Sequence, residues 1–261
     1  LHSYLLNGKR GTFDILTTMG NSSEFNVTRL SSLIGVVNAW SGPALTQYGQ
    51  VRVELGGPVV ARWLSKVANY LTTEIAADLF GSGEPTPARI YTSLQPWQDV
   101  LWQIAARAMG WEYLDTRRPL PGDLLVTNSL NNEANTALES GAHVLAQAPT
   151  YLSFAWNGEL GGAMDALAEI AAAPDALVVD TPPTLQAARD EALAGLRPPA
   201  DLHGQRVALL WEARTGAGQV LDQWMAGRSV VIIDPTYVSP RELPQILTTE
   251  AVDAGLVVYS R

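Results

Sequence analysis

The sequence of 261 residues contains no cysteine, which excludes a disulfide framework, a thiol nucleophile and a cysteine-ligated metal. Its three histidines, His2, His143 and His203, are scattered, and none has the spacing of a metal-ligand pair. A zinc centre or a serine–histidine hydrolase is therefore disfavoured, and we predict no metal site. Lysine is also scarce, since it occurs only at Lys9 and Lys66.

Long hydrophobic runs and a basic surface are missing as well. No apolar run approaches about 18 residues, and the N-terminus lacks the basic and apolar regions of an intact signal peptide. The formal net charge of −9 disfavours nonspecific binding to nucleic acid. Hydrophobic residues make up 47% of the chain, as in packed globular proteins. We expect a cytoplasmic protein that binds neither a membrane nor nucleic acid.

From about residue 89 onward, short apolar runs alternate with amphipathic stretches. The strand-like runs are Ile90–Thr92, Leu124–Thr127, His143–Ala146, Ala176–Val179, Val207–Leu210, Val230–Ile233 and Leu256–Tyr259. The helix-like stretches are Trp97–Met109, Glu133–Ser140, Ala163–Ala172, Leu185–Leu196, Gly218–Ala226 and Arg241–Ala251. Continuously apolar strands are typical of a sheet covered on both faces. The alternation predicts a three-layer α/β/α fold with a mostly parallel sheet.

The first 88 residues have a different pattern. Val27–Ala39 and Val59–Leu79 have helical periodicity, and the segment Gly81–Pro87 (GSGEPTP) is typical of a linker. We predict a helical N-terminal arm over residues 1–88 and an α/β cofactor-binding domain over residues 89–261. Because the chain starts without methionine and stops just after a strand-like run, we expect that domain to be incomplete at its C-terminus.

Candidate ligand-binding residues follow the strands, because ligands bind outside the carboxyl ends of the strands in open α/β sheets. Asp234 follows the most apolar strand, where a carboxylate is costly unless it has a partner. That partner can be a cofactor ring nitrogen or a magnesium ion, and Asp234 can also be a capping residue. Ser93 precedes a predicted helix and can either hold a phosphate or cap the helix. Asp180 ends a strand similar to that of Asp234.

Six segments occur in an order that suggests a known family. They are Gln47-Tyr48-Gly49 with Gly56-Gly57, Arg89–Met109, Val144–Phe154 (VLAQAPTYLSF), Leu209–Gly218 (LLWEARTGAG), Val230–Tyr237 (VVIIDPTY) and Leu256–Arg261 (LVVYSR). Together they resemble the large domain of fold-type I pyridoxal-phosphate (PLP) enzymes of the aminotransferase and alliinase-like kind. The resemblance covers about residues 44 to 261, and the DxxY pattern after an apolar strand is its strongest part.

The resemblance implies that PLP is the cofactor. Asp234 would pair with the pyridine nitrogen, Tyr237 would hydrogen-bond the phenolic oxygen, and Tyr151 would stack on the ring. Together these contacts would hold the ring where it can act as an electron sink.

The resemblance also implies contacts to the cofactor phosphate. Ser93, Leu94 and Ser260 would hold the phosphate, assisted by the helix start after Ser93. Tyr48 would reach the phosphate of a neighbouring subunit, which implies a homodimer.

One essential group of this family has no counterpart in the sequence. The Schiff-base lysine would fall a few residues beyond Arg261, and the asparagine of the family's NPTG segment falls on Ala213 or Arg214. The chain is then either cut short before the lysine or a catalytically dead relative. Its catalytic residue is therefore unknown.

The resemblance implies an aminotransferase that acts on an amino acid. A PLP-dependent C–S lyase of the alliinase type is the alternative within the family. Two readings from other classes also remain: a noncatalytic α/β binding module, and a magnesium-dependent phosphotransfer enzyme that uses Asp180 and Asp234.

Overall fold

The computed structural model describes residues 4–9, 12–17, 30–75, 88–114, 119–151, 153–178, 205–252 and 256–257. The strands are β1 (Tyr4–Lys9), β2 (Thr12–Thr17), β3 (Pro43–Tyr48), β4 (Arg52–Gly56), β5 (Arg89–Ser93), β6 (Glu112–Tyr113), β7 (Leu124–Thr127), β8 (His143–Ala146), β9 (Met164–Asp165), β10 (Arg206–Leu210), β11 (Ser229–Ile233) and β12 (Leu256–Val257). The helices are α1 (Leu30–Asn38), α2 (Gly57–Tyr70, continued by a π-helical turn over Leu71–Ile75), α3 (Pro96–Ala108), α4 (Asn132–Glu139), α5 (Ala166–Ala172), α6 (Gly216–Met225) and α7 (Leu243–Thr249).

The chain divides into two compact units, each with its own sheet. The first unit takes its residues from 1–26, 35–61 and 191–261, and the second from 27–34 and 62–190. The first unit has a seven-stranded mixed sheet in the order β2-β1-β12-β10-β11-β3-β4. The second has a five-stranded sheet in the order β6-β5-β7-β8-β9, in which all neighbouring strands are parallel.

The central strands of the first unit's sheet are apolar, as expected of strands on which helices pack. Ala208 of β10 and Val231 of β11 are paired in register and pack with Ile246 of α7. Helix α6 packs on the same two strands, and the indole Nε1 of its Trp224 donates a 3.0 Å hydrogen bond to the carbonyl of Ala44. Trp224 is fully buried.

The sheet of the second unit is also covered by helices. On one face, Leu125 and Val144 are paired in register and pack with Ala134 and Ala137 of α4. Helix α3 packs on β5 and β6, and nearly all of its residues are buried. Both units therefore have the layered α/β construction that the apolar strands predict.

The α/β class predicted from the sequence is confirmed, with parallel and mixed sheets and an N-terminal helix. Strands β7 and β8 have the predicted bounds, since a continuously apolar four-residue run between turns leaves little freedom. The N-terminal segment contains α1 and α2, as expected. It also contains four strands, β1 to β4, that the sequence pattern did not predict.

The predicted strand Ala176–Val179 is not formed over its described residues, and the predicted linker is not described. Residues 176–178 do not form a strand: the side chain of Asn69 holds this backbone, accepting from Val178 N at 2.9 Å and donating to Ala176 O at 2.8 Å. The linker Gly81–Pro87 and the helix Leu185–Leu196 lie outside the described residues, so the domain boundary near residue 88 stays a prediction.

Within the described ranges, no helix combines the length and the apolar character needed to cross a membrane.

Gly57, the first residue of α2, is in close contact with the end of α1. A Cβ at Gly57 would lie 2.1 Å from the carbonyl oxygen of Val37 and 3.0 Å from that of Trp40. We expect Gly57→Ala to lower the free energy of unfolding by about 1–3 kcal/mol, because the backbone must shift. Gly35→Ala is the control, because nothing lies within 4 Å of a Cβ there.

In that control, alanine should raise helix stability by about 0.5–1 kcal/mol. Urea unfolding of the two variants checks the prediction. Equal stability of the two proteins would contradict the close packing of Gly57 on the end of α1.

Candidate functional site

Asp234 lies at the carboxyl end of β11, where a ligand is expected in an α/β sheet. Its backbone N–H donates to the carbonyl of Tyr48 at 2.8 Å, which continues the β3–β11 ladder by one residue. Its carboxylate Oδ1 accepts from the N–H of Thr236 at 2.9 Å, so the side chain forms the turn that ends the strand. Tyr237 in the same turn is 56% exposed.

A cluster of charged side chains surrounds Glu250, the residue that follows α7. Glu250 is buried, and its Oε1 accepts hydrogen bonds from the Tyr48 hydroxyl at 2.6 Å and from Arg52 Nε at 3.0 Å. Its Oε2 accepts from Arg206 Nη2 at 2.6 Å, and the same nitrogen donates to Thr46 Oγ1 at 2.5 Å. The carboxylate thus connects α7 with β3, β4 and β10.

The partners of Glu250 decide its protonation. Burial alone would raise the pKa of Glu250, but hydrogen bonds from Tyr48 and Arg52 and the charges of Arg206 and Arg52 outweigh burial and lower the pKa. Burial and the bond to Glu250 raise the pKa of Tyr48, which keeps its hydroxyl protonated as a donor. Glu250 therefore remains a carboxylate inside the fold.

We expect Glu250→Gln to lower the free energy of unfolding by about 2–3 kcal/mol at pH 7, because two guanidinium groups lose a buried partner. Since its pKa is lowered, the ionised Glu250 contributes stability above the pKa of an unfolded glutamate. That contribution is lost as the pH falls through the folded-state pKa.

Glu54→Gln is the matched control, because the Arg52–Glu54 pair is 44% and 42% exposed and should contribute less than about 1 kcal/mol. Chemical denaturation at pH 7 and near pH 3 measures both variants. A loss for Glu250→Gln no larger than that for Glu54→Gln would show that the buried cluster does not stabilise the fold.

In the second unit, Asn128 connects the carboxyl ends of the strands. Its Oδ1 accepts from Gln95 N at 2.6 Å, and its Nδ2 donates to Gln98 Oε1 at 2.7 Å and to Gln147 O at 2.8 Å. Trp102 Nε1 in turn donates to Gln147 Oε1 at 2.5 Å. The amide thus joins the segments after β5, β7 and β8, and its polar atoms are used inside the protein.

Asp99 of α3 is a second buried carboxylate, and its setting differs from that of Glu250. Its Oδ1 accepts from Thr92 Oγ1 at 2.5 Å and from Gln103 Nε2 at 2.9 Å. Complete burial raises the pKa of Asp99 to about 6, since the bonds from Thr92 and Gln103 and the charge of Arg107 only partly offset it. Arg107 itself lies with its guanidinium carbon 4.7 Å from the centre of the Tyr113 ring.

Because the pKa of Asp99 is raised in the folded state, its contribution to stability is greatest below the unfolded pKa and is lost as the pH rises toward about 6. An asparagine in its place would accept the same two bonds but would not titrate. We therefore expect Asp99→Asn to gain stability relative to the parent protein by about 2–3 kcal/mol between pH 4 and pH 7.5.

Urea unfolding at the two pH values measures that difference. A constant difference between parent and variant across this range would show that folding does not raise the pKa of Asp99.

The predicted site residues fall on two different sheets. Tyr48, Asp234 and Tyr237 belong to the first unit, where Tyr48 and Asp234 are joined through their backbones. Ser93, Leu94 and Tyr151 belong to the second unit, where the ring of Tyr151 packs edge-on against Trp97 at 5.8 Å. Ser260 lies outside the described residues, and a ligand-binding role for all seven stays a prediction.

Sequence reasoning did not identify Glu250, Arg52, Arg206 or Asp99. Asp99 had a usable signal, because it is the only acidic residue in a helix that is otherwise rich in apolar residues. Glu250 had no such signal, because the residues that bond to its carboxylate lie 44 to 202 positions away in the sequence.

The turn Gly216-Ala217-Gly218 at the start of α6 is rich in glycine, as are many phosphate-binding turns. Thr215 Oγ1 donates to Glu212 Oε2 at 3.0 Å, so a carboxylate already lies at this helix start. A Cβ at Gly216 would lie 2.4 Å from the ring of Trp211, which explains the glycine by packing. The turn therefore does not fit a phosphate cradle.

Magnesium fits the described residues equally poorly. In the part of the chain that the structure describes, no three His, Asp or Glu side chains are grouped as metal ligands. Asp180, one of the two carboxylates considered for magnesium, lies outside it. We therefore assign no metal ligand.

Several solved proteins share the fold of this chain. The acyl-CoA synthetase of Brucella canis is 17% identical, with a TM-score of 0.55, and the match covers 88% of this chain and 47% of that one. The amide bond synthetase McbA of Marinactinospora thermotolerans is 15% identical, with a TM-score of 0.52 and coverages of 85% and 47%. The acetoacetyl-CoA synthetase of Streptomyces lividans is 14% identical, with a TM-score of 0.51, and the match covers 89% of this chain and 42% of that one.

This chain thus spans less than half the length of these solved proteins. At such identities the likeness shows a common fold. No profile of a known protein family matches the sequence, and no curated protein matches it either.

The predicted resemblance to fold-type I PLP enzymes is wrong. Solved structures that share this fold include acyl-CoA and amide bond synthetases, so PLP as cofactor and the aminotransferase and lyase activities are wrong as well. The noncatalytic reading gains no support from them. The physical reason is that the six segments occur in the predicted order but follow strands of two separate sheets, whereas the resemblance needs one large-domain sheet.

Proposed function

We propose that this chain contributes part of an adenylate-forming enzyme, one that activates a carboxylic acid with ATP. The observation that supports this proposal is the fold, which it shares over 85–89% of its length with solved synthetases. Their names describe the joining of a carboxylic acid to an amine or to the thiol of coenzyme A. Because the chain spans less than half of each, the complete reaction is proposed for the whole protein to which it belongs.

The activities named for these enzymes share one chemical requirement. A carboxylate is a poor electrophile, because its oxygen is a poor leaving group. In adenylation, a carboxylate oxygen attacks the α-phosphorus of ATP, and pyrophosphate leaves with the bonding electrons. The amine or thiol then attacks the activated carbonyl and releases AMP. Magnesium would neutralise charge on the phosphates in the first step.

We further propose that the ligand is contacted at the carboxyl ends of the strands, following the general rule for α/β sheets. The proposed contacts are Asp234 and Tyr237 of the first unit, whereas ligand-binding roles for Ser93, Leu94 and Tyr151 of the second unit stay predictions. Tyr48 and Ser260 stay predictions, as do the homodimer and the cytoplasmic location. We assign no phosphate contact to the start of α6, for the reasons given above.

The test uses the whole protein to which this chain belongs and measures exchange of labelled pyrophosphate into ATP, with magnesium present, for a panel of aliphatic, aromatic and amino acids. We expect exchange that depends on one class of acid, together with saturable ATP binding in calorimetry. Asp234→Asn should lower the exchange rate by about tenfold or more, because a neutral amide accepts hydrogen bonds from a ligand more weakly than a carboxylate does, while the acceptor for Thr236 N is kept.

The matched control is Asp222→Asn, which changes an exposed carboxylate of α6 and should leave exchange unchanged. Absence of both ATP binding and exchange with every acid would refute the proposed function. Equal exchange by the Asp234→Asn and Asp222→Asn variants would refute the role of Asp234 alone.

A further inference from the structure

A cleft in the second unit lies outside the strand ends discussed so far. It has a volume of about 260 Å³, and its lining comes from α2, from α5 and from Ser153 and Phe154. Since a water molecule takes up about 30 Å³ of liquid, the cleft has room for about nine waters. That is slightly below the usual volume of a small-molecule site and fits one aromatic ring with a short chain.

The walls of the cleft are apolar, and one of them is rigid. Trp63 of α2 lies edge-on to Trp97 with ring centres 6.4 Å apart, and Trp97 lies edge-on to Tyr151 at 5.8 Å. Trp97 is only 2% exposed, so Trp63 is held by a buried ring. Leu167 and Ile170 of α5 supply aliphatic surface. Such a preformed wall lowers the entropy cost of binding a flat apolar group.

Phe154 at the rim is 93% exposed, the most exposed of the large apolar side chains in the described part of the chain. An exposed phenyl ring beside an apolar cleft gains by covering an apolar ligand, because both surfaces then leave water. Phe154 therefore adds to the apolar surface that a ligand can use.

Lys66 lines the cleft and has no donor left for a ligand. Its ammonium donates to the carbonyls of Ala171 at 3.0 Å and Ala173 at 2.5 Å, and it pairs with Asp175 at 2.9 Å. An ammonium group has three donors, and these contacts use all of them. Lys66 thus fixes the end of α5 in place.

Arg62 is the cation that a ligand can reach. Its side chain is 60% exposed, and its ion pair with Asp175 is long, with Nε 3.5 Å from Oδ2. A guanidinium group has five N–H donors in a plane, which suits bidentate binding of a carboxylate. The two cations and Asp175 leave this cleft with a net charge of one positive unit, which complements a monoanion.

We propose that this cleft binds a small carboxylic acid with a single-ring or similarly sized apolar body, with the carboxylate on Arg62 and the apolar body against Trp63, Leu167 and Ile170. A macromolecular partner is disfavoured, because a specific protein interface buries about 800 Å² on each side, far more than this cleft offers. The site involves none of the strand-end residues of the proposed function and does not depend on ATP.

The experiment titrates the full chain with 3-phenylpropanoate in low-salt buffer at pH 7.5 without ATP, using calorimetry, and repeats it with the neutral analogue 3-phenylpropanol. We expect saturable binding of the acid at one site and weaker binding of the alcohol. Arg62→Gln should weaken acid binding about three- to fivefold, as for a partly exposed ion pair, and leave the alcohol unchanged. Asp175→Asn should strengthen acid binding, because it removes the competing carboxylate.

Two further variants complete the test. Ala171→Phe should abolish binding of both compounds, because Ala171 is exposed and lines the cleft, so a ring there fills it without removing a core contact. Arg241→Gln, at an exposed arginine of the first unit, should change nothing.

The proposal is overturned if the acid shows no saturable binding up to about 10 mM. It is also overturned if acid and alcohol bind equally well, or if the Ala171→Phe variant still binds the acid. Since ATP is absent, a failure of adenylation leaves these outcomes unaffected, and a failure here leaves the proposed function unaffected.

Discussion

A buried polar group costs free energy unless it forms hydrogen bonds. In each sheet of this protein, one side chain forms hydrogen bonds to groups on several different segments. Asn128 does this for the five-stranded sheet, where its amide connects the segments after three strands. Glu250 does it for the seven-stranded sheet, where its carboxylate connects α7 with three strands. The short apolar strands are kept in place by these side chains as well as by their own ladders.

The two buried carboxylates show why burial alone does not determine a charge. Burial is the largest single effect on both, and it raises both pKa values. Glu250 has two arginines and a tyrosine as direct partners, so its pKa is lowered in the end. Asp99 has only a hydroxyl and an amide, with Arg107 contributing charge but no hydrogen bond, so its pKa remains raised. The partners decide the direction of the shift.

The wrong assignment to PLP enzymes has a physical explanation. An aspartate after an apolar strand, with a tyrosine three residues later, is what any α/β sheet produces where a strand ends in a turn. In this protein Asp234 forms that turn through its own carboxylate, a local role that needs no cofactor. The segments do occur in this order in the sequence, but order along the chain does not say which strands share a sheet.

The sequence by itself determined the α/β class and the positions of most helices and strands from residue 89 onward, because short apolar runs and helical periodicity are local signals. It could not determine that the strands form two sheets, nor that β3 and β4 of the N-terminal segment join the sheet of β10 and β11, since strand pairing is long-range. Only the tertiary structure brought Glu250 to Tyr48, Arg52 and Arg206, or placed Arg62 and Trp63 beside α5. Side-chain clusters of this kind depend on packing between distant segments, which no local pattern records.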